Sequence, residues 1–243
     1  MLLHHEALHA FPRTRLGRDG PGSSKGAAAL KEMSNSEFPP PCRLSGSDVP
    51  VEFERLLDEM IDFPERRAAV TAQIHDRYSR ERAILVLDMC GFSRSTQAVG
   101  IVAFLTLIRR MRRICEPCFR EHDGEFVDAA ADNLLYLFPS APEAIAAARE
   151  ARTRLAGANE ALPRDEHLFC AIGIGWGEVL CIGDGHVHGN EVNLAFKLGE
   201  DIATDGQILV TAAAHAVARD CGASHEARVT ISGIELVYHE VLG

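Results

Sequence analysis

Two aspartates stand where metal–phosphate chemistry would need them. Asp88 follows Ala83-Ile84-Leu85-Val86-Leu87, a run of five apolar residues. The run is too short for a helix and has the composition of a buried strand. Behind Asp88 come Met89, the small-residue turn Cys90-Gly91, and Phe92-Ser93-Arg94-Ser95 before the next helical stretch. A carboxylate at the mouth of a buried strand suits a cation, and the free backbone N–H groups of a turn and a helix N-terminus suit phosphate oxygens. The same aspartate would equally serve as a plain cap on the following helix. Asp132 is the second acid. In Gly124–Phe138, two extended runs flank Asp132-Asn133, a favourable turn pair, so the stretch reads as a β-hairpin with a carboxylate at its tip. An ordinary turn aspartate would look the same. Two acids at strand ends are nevertheless what a shared pair of divalent ions requires in phosphoryl transfer.

The elements that must hold these acids can be read in order. Residues 1–47 are dominated by Pro, Gly, Ser and isolated charges without an apolar period, which predicts a disordered tail. Over 48–63, Val51, Phe53, Leu56, Leu57, Met60 and Ile61 recur at helical spacing, and Pro64 ends the run. With a charged second helix at 65–80, this gives a helical N-terminal extension over 48–80, expected to pack on the domain or on a partner copy. After the first strand, 98–120 is helical, with Ile101, Phe104, Leu105, Ile108, Met111 and Ile114 as its stripe. Cys115 and Cys118 in that helix have no second ligand pair at zinc spacing. Pro142–Ala161 is an Ala-rich helix. Residues 167–175 and 178–182 read as two strands around a Gly-rich turn. A helix at 190–203, a strand at 207–210, a short helix at 211–219 and a closing hairpin follow. This mixture predicts an α+β sandwich, an antiparallel-rich sheet with helices packed on it.

Composition sets the outer limits. The chain has 243 residues, 47% of them hydrophobic and 25% charged, which is ordinary for a globular protein. Its formal net charge is −10 and no basic stripe is visible, which argues against nucleic acid as a partner. No apolar stretch approaches the ~20 residues of a membrane-spanning helix, and residues 1–40 lack the apolar core of a secretion signal. The seven scattered cysteines read as reduced thiols of a cytoplasmic protein.

Five motifs in order carry a resemblance to a family. Leu87-Asp88-Met89-Cys90-Gly91-Phe92-Ser93 resembles the first metal motif of class III nucleotidyl (adenylate/guanylate) cyclase catalytic domains. Ala131-Asp132-Asn133 falls at that family's hairpin Gly-Asp, and Gly173–Val179 at its Gly-Ile-x-x-Gly-x-Val strand and turn. Gly189–Leu198 is similar to its Gly-x-x-Val-Asn-x-Ala-x-Arg-Leu helix, and Gly206–Val210 to the strand that follows. The resemblance covers residues 81–243 and implies a ferredoxin-like palm fold. It further implies two Mg²⁺ or Mn²⁺ ions held by Asp88, Asp132 and the Met89 carbonyl, with the turn Cys90, Gly91, Phe92, Ser93 against the triphosphate. Asn193 would orient the ribose, and Lys197, four residues on and so on the same helix face, would stabilise charge at the α-phosphate. The implied product is a 3′,5′-cyclic nucleotide for intracellular signalling, made by a homodimer with its active sites at the interface.

The chain departs from the family at three places. The transition-state arginine is Lys197, which keeps the charge and loses the planar two-point fork. The base-selecting positions are Asp128 and His186. An aspartate cannot donate to adenine but accepts from guanine N–H groups, and a histidine can donate to guanine O6, so the lean is towards guanine. Finally, Ile231-Ser232-Gly233-Ile234-Glu235 lacks the lysine that meets the triphosphate in many relatives. These departures leave an alternative: a catalytically degenerate relative that binds nucleotide or dimerises as a regulatory module.

Overall fold

The computed structural model describes residues 49–90, 100–183, 185–231 and 234–242. The stretch 1–47 read as a tail lies outside them, as do the turn residues Gly91, Phe92 and Ser93.

Helix α1 (Val49–Asp62) stops at Phe63, and Pro64 opens a single 3-10 turn that leads into α2 (Arg67–Tyr78). Proline fits a first helical turn because its missing N–H would have no partner there. Leu56 packs on Val70, Ile74 and Tyr78, and the Phe53 ring meets Tyr78 edge-on with centroids 5.4 Å apart. Leu180 joins this small cluster and ties the two helices to the sheet.

Strand β1 (Ser79–Met89) follows α2 without a loop. It is six residues longer than the apolar run alone, since Asp88 and Met89 after the run also pair, as do Ser79 to Arg82 before it, with Leu180 to Gly177 of a later strand. The chain continues through α3 (Ile101–Glu121), β2 (Glu125–Asp128), β3 (Leu134–Phe138), α4 (Ala141–Glu160) and β4 (Cys170–Gly183). Then come β5 (His186–His188) and α5 (Asn190–Phe196), whose last turns widen into a π-helical segment (Lys197–Ile202). Strand β6 (Ile208–Thr211), α6 (Ala212–Val217), β7 (Ser224–Ile231) and β8 (Ile234–Val241) complete the described chain.

The strands form one sheet in the order β2-β3-β1-β4-β6-β8-β7, with β5 folded back on β4. All pairs are antiparallel except β4 with β6. Alternation along β1 divides the core. Leu85, Leu87 and Met89 join Phe104 and Met111 of α3 and Ala144 and Ala148 of α4. Ile84 and Val86 face the other way, onto Val192 and Ala195 of α5. This is the expected α+β sandwich with an antiparallel-rich sheet.

One expectation is corrected. Gly173, Gly175 and Gly177 do not make a turn between two strands; they lie inside the single strand β4. A methyl group on Gly173 would lie 2.1 Å from the Ala195 carbonyl oxygen, and one on Gly175 2.6 Å from that of Glu191. The glycines are needed because α5 lies directly against the strand, a close backbone approach rather than a change of direction.

Candidate functional site

The site begins at the end of β1. Since Ile84 and Val86 face α5, alternation sends Asp88 to the same side of the sheet. The register of β1 with β3 pairs Leu87 with Leu134, which brings Asp88 level with the hairpin tip. The tip itself is a turn closed by Asn133 N–H to Ala130 O at 2.9 Å. Its left-handed residue is Ala131, with φ 52°. Asp132, next in line, is only 9% exposed. The sequence therefore brings its two acids together by pairing a strand end with a turn.

Electrostatics mark the pair as unusual. Burial pushes the Asp88 carboxyl up to about 6, helped by the charges of Asp132 and Glu200 and opposed by a hydrogen bond from the Met89 backbone. Burial also raises Asp132 above the usual carboxylate range. Among the described residues neither acid is in an ion pair. Two desolvated carboxyls that repel each other and have no cationic partner among the described residues are a donor set that fits a divalent cation. Met89 is 4% exposed with its side chain in the core, so only its backbone is available to a ligand. Among the described residues no group of three or more His, Cys, Asp or Glu is arranged to hold a metal ion. Further oxygen donors would have to come from other groups.

Glu200 is a participant that sequence reasoning did not single out. It lies in the π-helical segment after α5, and its carboxylate accepts a hydrogen bond from the Asn133 side chain. The residue is exposed, but partial desolvation of its carboxyl raises the pKa, with Asp201 and Asp132 adding to the effect and the Asn133 hydrogen bond opposing it. In the sequence, Glu200-Asp201 looks like the solvated end of a helix; only the packing of α5 against the hairpin makes it part of the acid site.

Cys90 is committed elsewhere. Its N–H donates to Phe169 O at 2.8 Å, so that amide is not open to a phosphate. Burial, reinforced by a contact with Asp205, pushes its thiol up to about 12.

Asn193 and Lys197 do share one face of α5, and it is the face turned away from the sheet. Val192, Ala195 and Leu198 are buried, whereas Asn193 is exposed. Lys197 Nζ meets Asp201 Oδ2 at 3.2 Å, its one ion pair among the described residues. The helix is fixed from beneath by Glu191, whose carboxylate accepts from Trp176 N–H at 3.2 Å and from Thr211 Oγ1 at 2.7 Å. None of the hydrogen bonds or ion pairs of the described residues joins Asn193 or Lys197 to Asp88 or Asp132.

Asp128 and His186 are both exposed. Their chain neighbours Val127 and Val187 pack on one cluster on the α5 side of the sheet. A methyl on Gly185 would stand 3.6 Å from the Val127 carbonyl oxygen, an ordinary contact. Asp128 Oδ1 accepts from Ala129 N–H at 2.7 Å.

Comparison with known proteins agrees with this architecture. No protein-family model matches the chain. Over 162 residues it is 27% identical to the putative adenylate cyclase 3 of Rhizobium meliloti (strain 1021), an alignment covering 67% of this chain and 26% of that protein. The chain thus spans about a quarter of the length of that curated relative. Among solved structures, the adenylate/guanylate cyclase/hydrolase from Silicibacter pomeroyi is 28% identical with a TM-score of 0.56, covering 68% of this chain and 98% of that one. A guanylyl cyclase superposes with a TM-score of 0.59 at 23% identity, over 68% of this chain and 93% of that one. The adenylyl cyclase CyaB from P. aeruginosa gives 0.56 at 19% identity, over 68% and 96%. By fold, and by sequence at 27–28% identity, this chain is similar to class III adenylyl and guanylyl cyclase domains. No helix among the described residues is long and apolar enough to cross a membrane.

Proposed function

We propose that the chain is a nucleotidyl cyclase that converts a nucleoside triphosphate into a 3′,5′-cyclic nucleotide and pyrophosphate for intracellular signalling in the cytoplasm. The observation that carries this is the acid pair: Asp88 and Asp132 are desolvated, mutually repelling and without a cationic partner among the described residues. Asp88, Asp132 and the Met89 backbone would hold two Mg²⁺ or Mn²⁺ ions, which when bound acidify the ribose 3′-hydroxyl and neutralise the triphosphate. Asn193 orients the ribose. Lys197 places its ammonium at the α-phosphate, where negative charge builds as the 3′-oxygen attacks in line. Because both side chains point away from their own sheet, they serve the acid pair of a second copy of this chain in a two-fold dimer. Asp128 accepts from, and His186 donates to, the edge of the base, with guanine as the preferred fit.

Incubation with each nucleoside triphosphate and Mn²⁺ or Mg²⁺, followed by chromatography for cyclic products, tests the activity. Asp88→Ala and Asp132→Ala should abolish it; turnover by Asp132→Ala at the wild-type rate would refute the role of the acids. Cyclic GMP should outweigh cyclic AMP, and Asp128→Lys with His186→Asp should move the preference towards adenine.

One observation favours a second reading, a non-catalytic nucleotide-binding or dimerising module: the side chain at the transition-state position, Lys197, is paired with Asp201. That reading wins if nucleotide binds and no triphosphate is cyclised.

A further inference from the structure

The acid site contains one polar atom that nothing among the described residues satisfies. The side-chain oxygen of Asn133, Oδ1, is buried and has no hydrogen-bond partner among the described residues. A buried acceptor left without a donor costs about 1–3 kcal/mol, and such an atom in a folded protein calls for a partner such as an ion. Asn133 follows Asp132 and, by the β1–β3 register, sits level with Asp88. Its orientation is not free. Nδ2 donates to Glu200 Oε1, and an ionised carboxylate only accepts, so Glu200 selects the rotation in which the amide nitrogen faces it and the oxygen does not.

We propose that Asn133 Oδ1, oriented by Glu200, is a third side-chain oxygen donor to the divalent cation held by Asp88 and Asp132. The inference rests on the metal-binding reading of those two acids. Its chemistry suits a crowded anionic site. Mg²⁺ and Mn²⁺ take oxygen ligands, and an amide oxygen adds a donor without adding a charge to carboxyls that already repel each other. Glu200 acts as a positioning residue: its carboxylate is used on the amide nitrogen, and it contributes by holding the amide rather than by touching the ion.

The test is Mn²⁺ binding to the full chain without nucleotide, read from the free-ion electron paramagnetic resonance signal and from the Mn²⁺-dependent rise in thermal midpoint. Asn133→Ala should weaken Mn²⁺ binding roughly 10–100-fold, and Glu200→Ala by a smaller factor in the same direction, in line with the loss of ligand-orienting partners. Glu200→Gln keeps an oxygen that can accept from the Asn133 amide nitrogen, so it should bind close to wild type. Asp88→Ala should abolish binding. Wild-type affinity in Asn133→Ala beside lost binding in Asp88→Ala would overturn the inference and leave the acid pair standing. Wild-type affinity in Asp88→Ala would overturn the acid-pair reading, and this inference with it. If Asn133→Ala fails to fold, Glu200→Ala decides: wild-type Mn²⁺ affinity there overturns the proposal.

Discussion

A methyl group added to Gly173 would lie 2.1 Å from the carbonyl oxygen of Ala195 and 2.5 Å from the amide nitrogen of Gly199. Both neighbours are backbone, so neither can swing aside. The height of α5 above the sheet, and with it the position of Asn193 and Lys197, is set by this missing methyl. Gly173→Ala should therefore destabilise the fold by about 1–3 kcal/mol, towards the upper end of the cost of overpacking. Gly157 lies on the exposed side of α4 with nothing within 4 Å of an added methyl. Gly157→Ala should stabilise by roughly 0.5–1 kcal/mol through helix propensity. Urea melts of the two variants should move in opposite directions.

The hairpin tip carries strain of a different kind. Ala131 holds φ 52°, a left-handed backbone that suits glycine and costs other residues roughly 1–2 kcal/mol. Ala131→Gly should raise stability by about 0.5–1 kcal/mol, less than the full strain because glycine is freer in the unfolded chain. Thermal denaturation checks it. A lowered midpoint would mean that the turn does not hold this geometry.

The proposed split of catalytic groups between two protomers makes complementation the decisive assay of assembly. Asp88→Ala and Lys197→Ala proteins should each be inactive. Mixed in equal amounts with subunit exchange confirmed, they should recover up to about a quarter of wild-type activity, since half of randomly paired dimers are mixed and each has one intact site of two. Activity that stays at zero would place both sets of groups within one chain.

A titratable pair lies far along the chain from the acids. The rings of His215 and His239 stack with centroids 3.6 Å apart, and His215 Nε2 meets Ser224 Oγ at 3.0 Å. Burial, then the neighbouring His215, lowers the pKa of His239 below 6.5, against a weaker opposing pull from Glu226. A histidine whose folded-state pKa is depressed binds fewer protons folded than unfolded. The stability contributed by His239 is therefore fully present above pH 6.5 and is lost as the pH drops through 6.5 towards the folded value. His239→Gln should flatten that part of the stability–pH curve, measured by urea melts between pH 5 and 8.

The fold class was legible in the sequence because its signals are local. The apolar run 83–87, the period of Ile101 to Ile114, Pro64 and Pro142 each act within a few residues, and helices and strands appear where they point. The acid pair was legible for the same reason: Asp88 ends a strand and Asp132 sits in a turn, positions fixed by neighbours in the chain. What tertiary structure alone decided is how separate elements meet. The glycines of β4 look like a turn in one dimension, and only the approach of α5 makes them a packing requirement. Glu200 looks like a solvated helix acid until that helix end is laid beside the hairpin and its carboxylate takes the Asn133 amide. The outward face of α5 is decided in the same way. Asn193 and Lys197 share a face by spacing, but the burial of Val192, Ala195 and Leu198 determines which face turns from the sheet. Spacing along a chain encodes periodicity; which of two faces meets the core is a contact between residues far apart in sequence, and no local signal carries it.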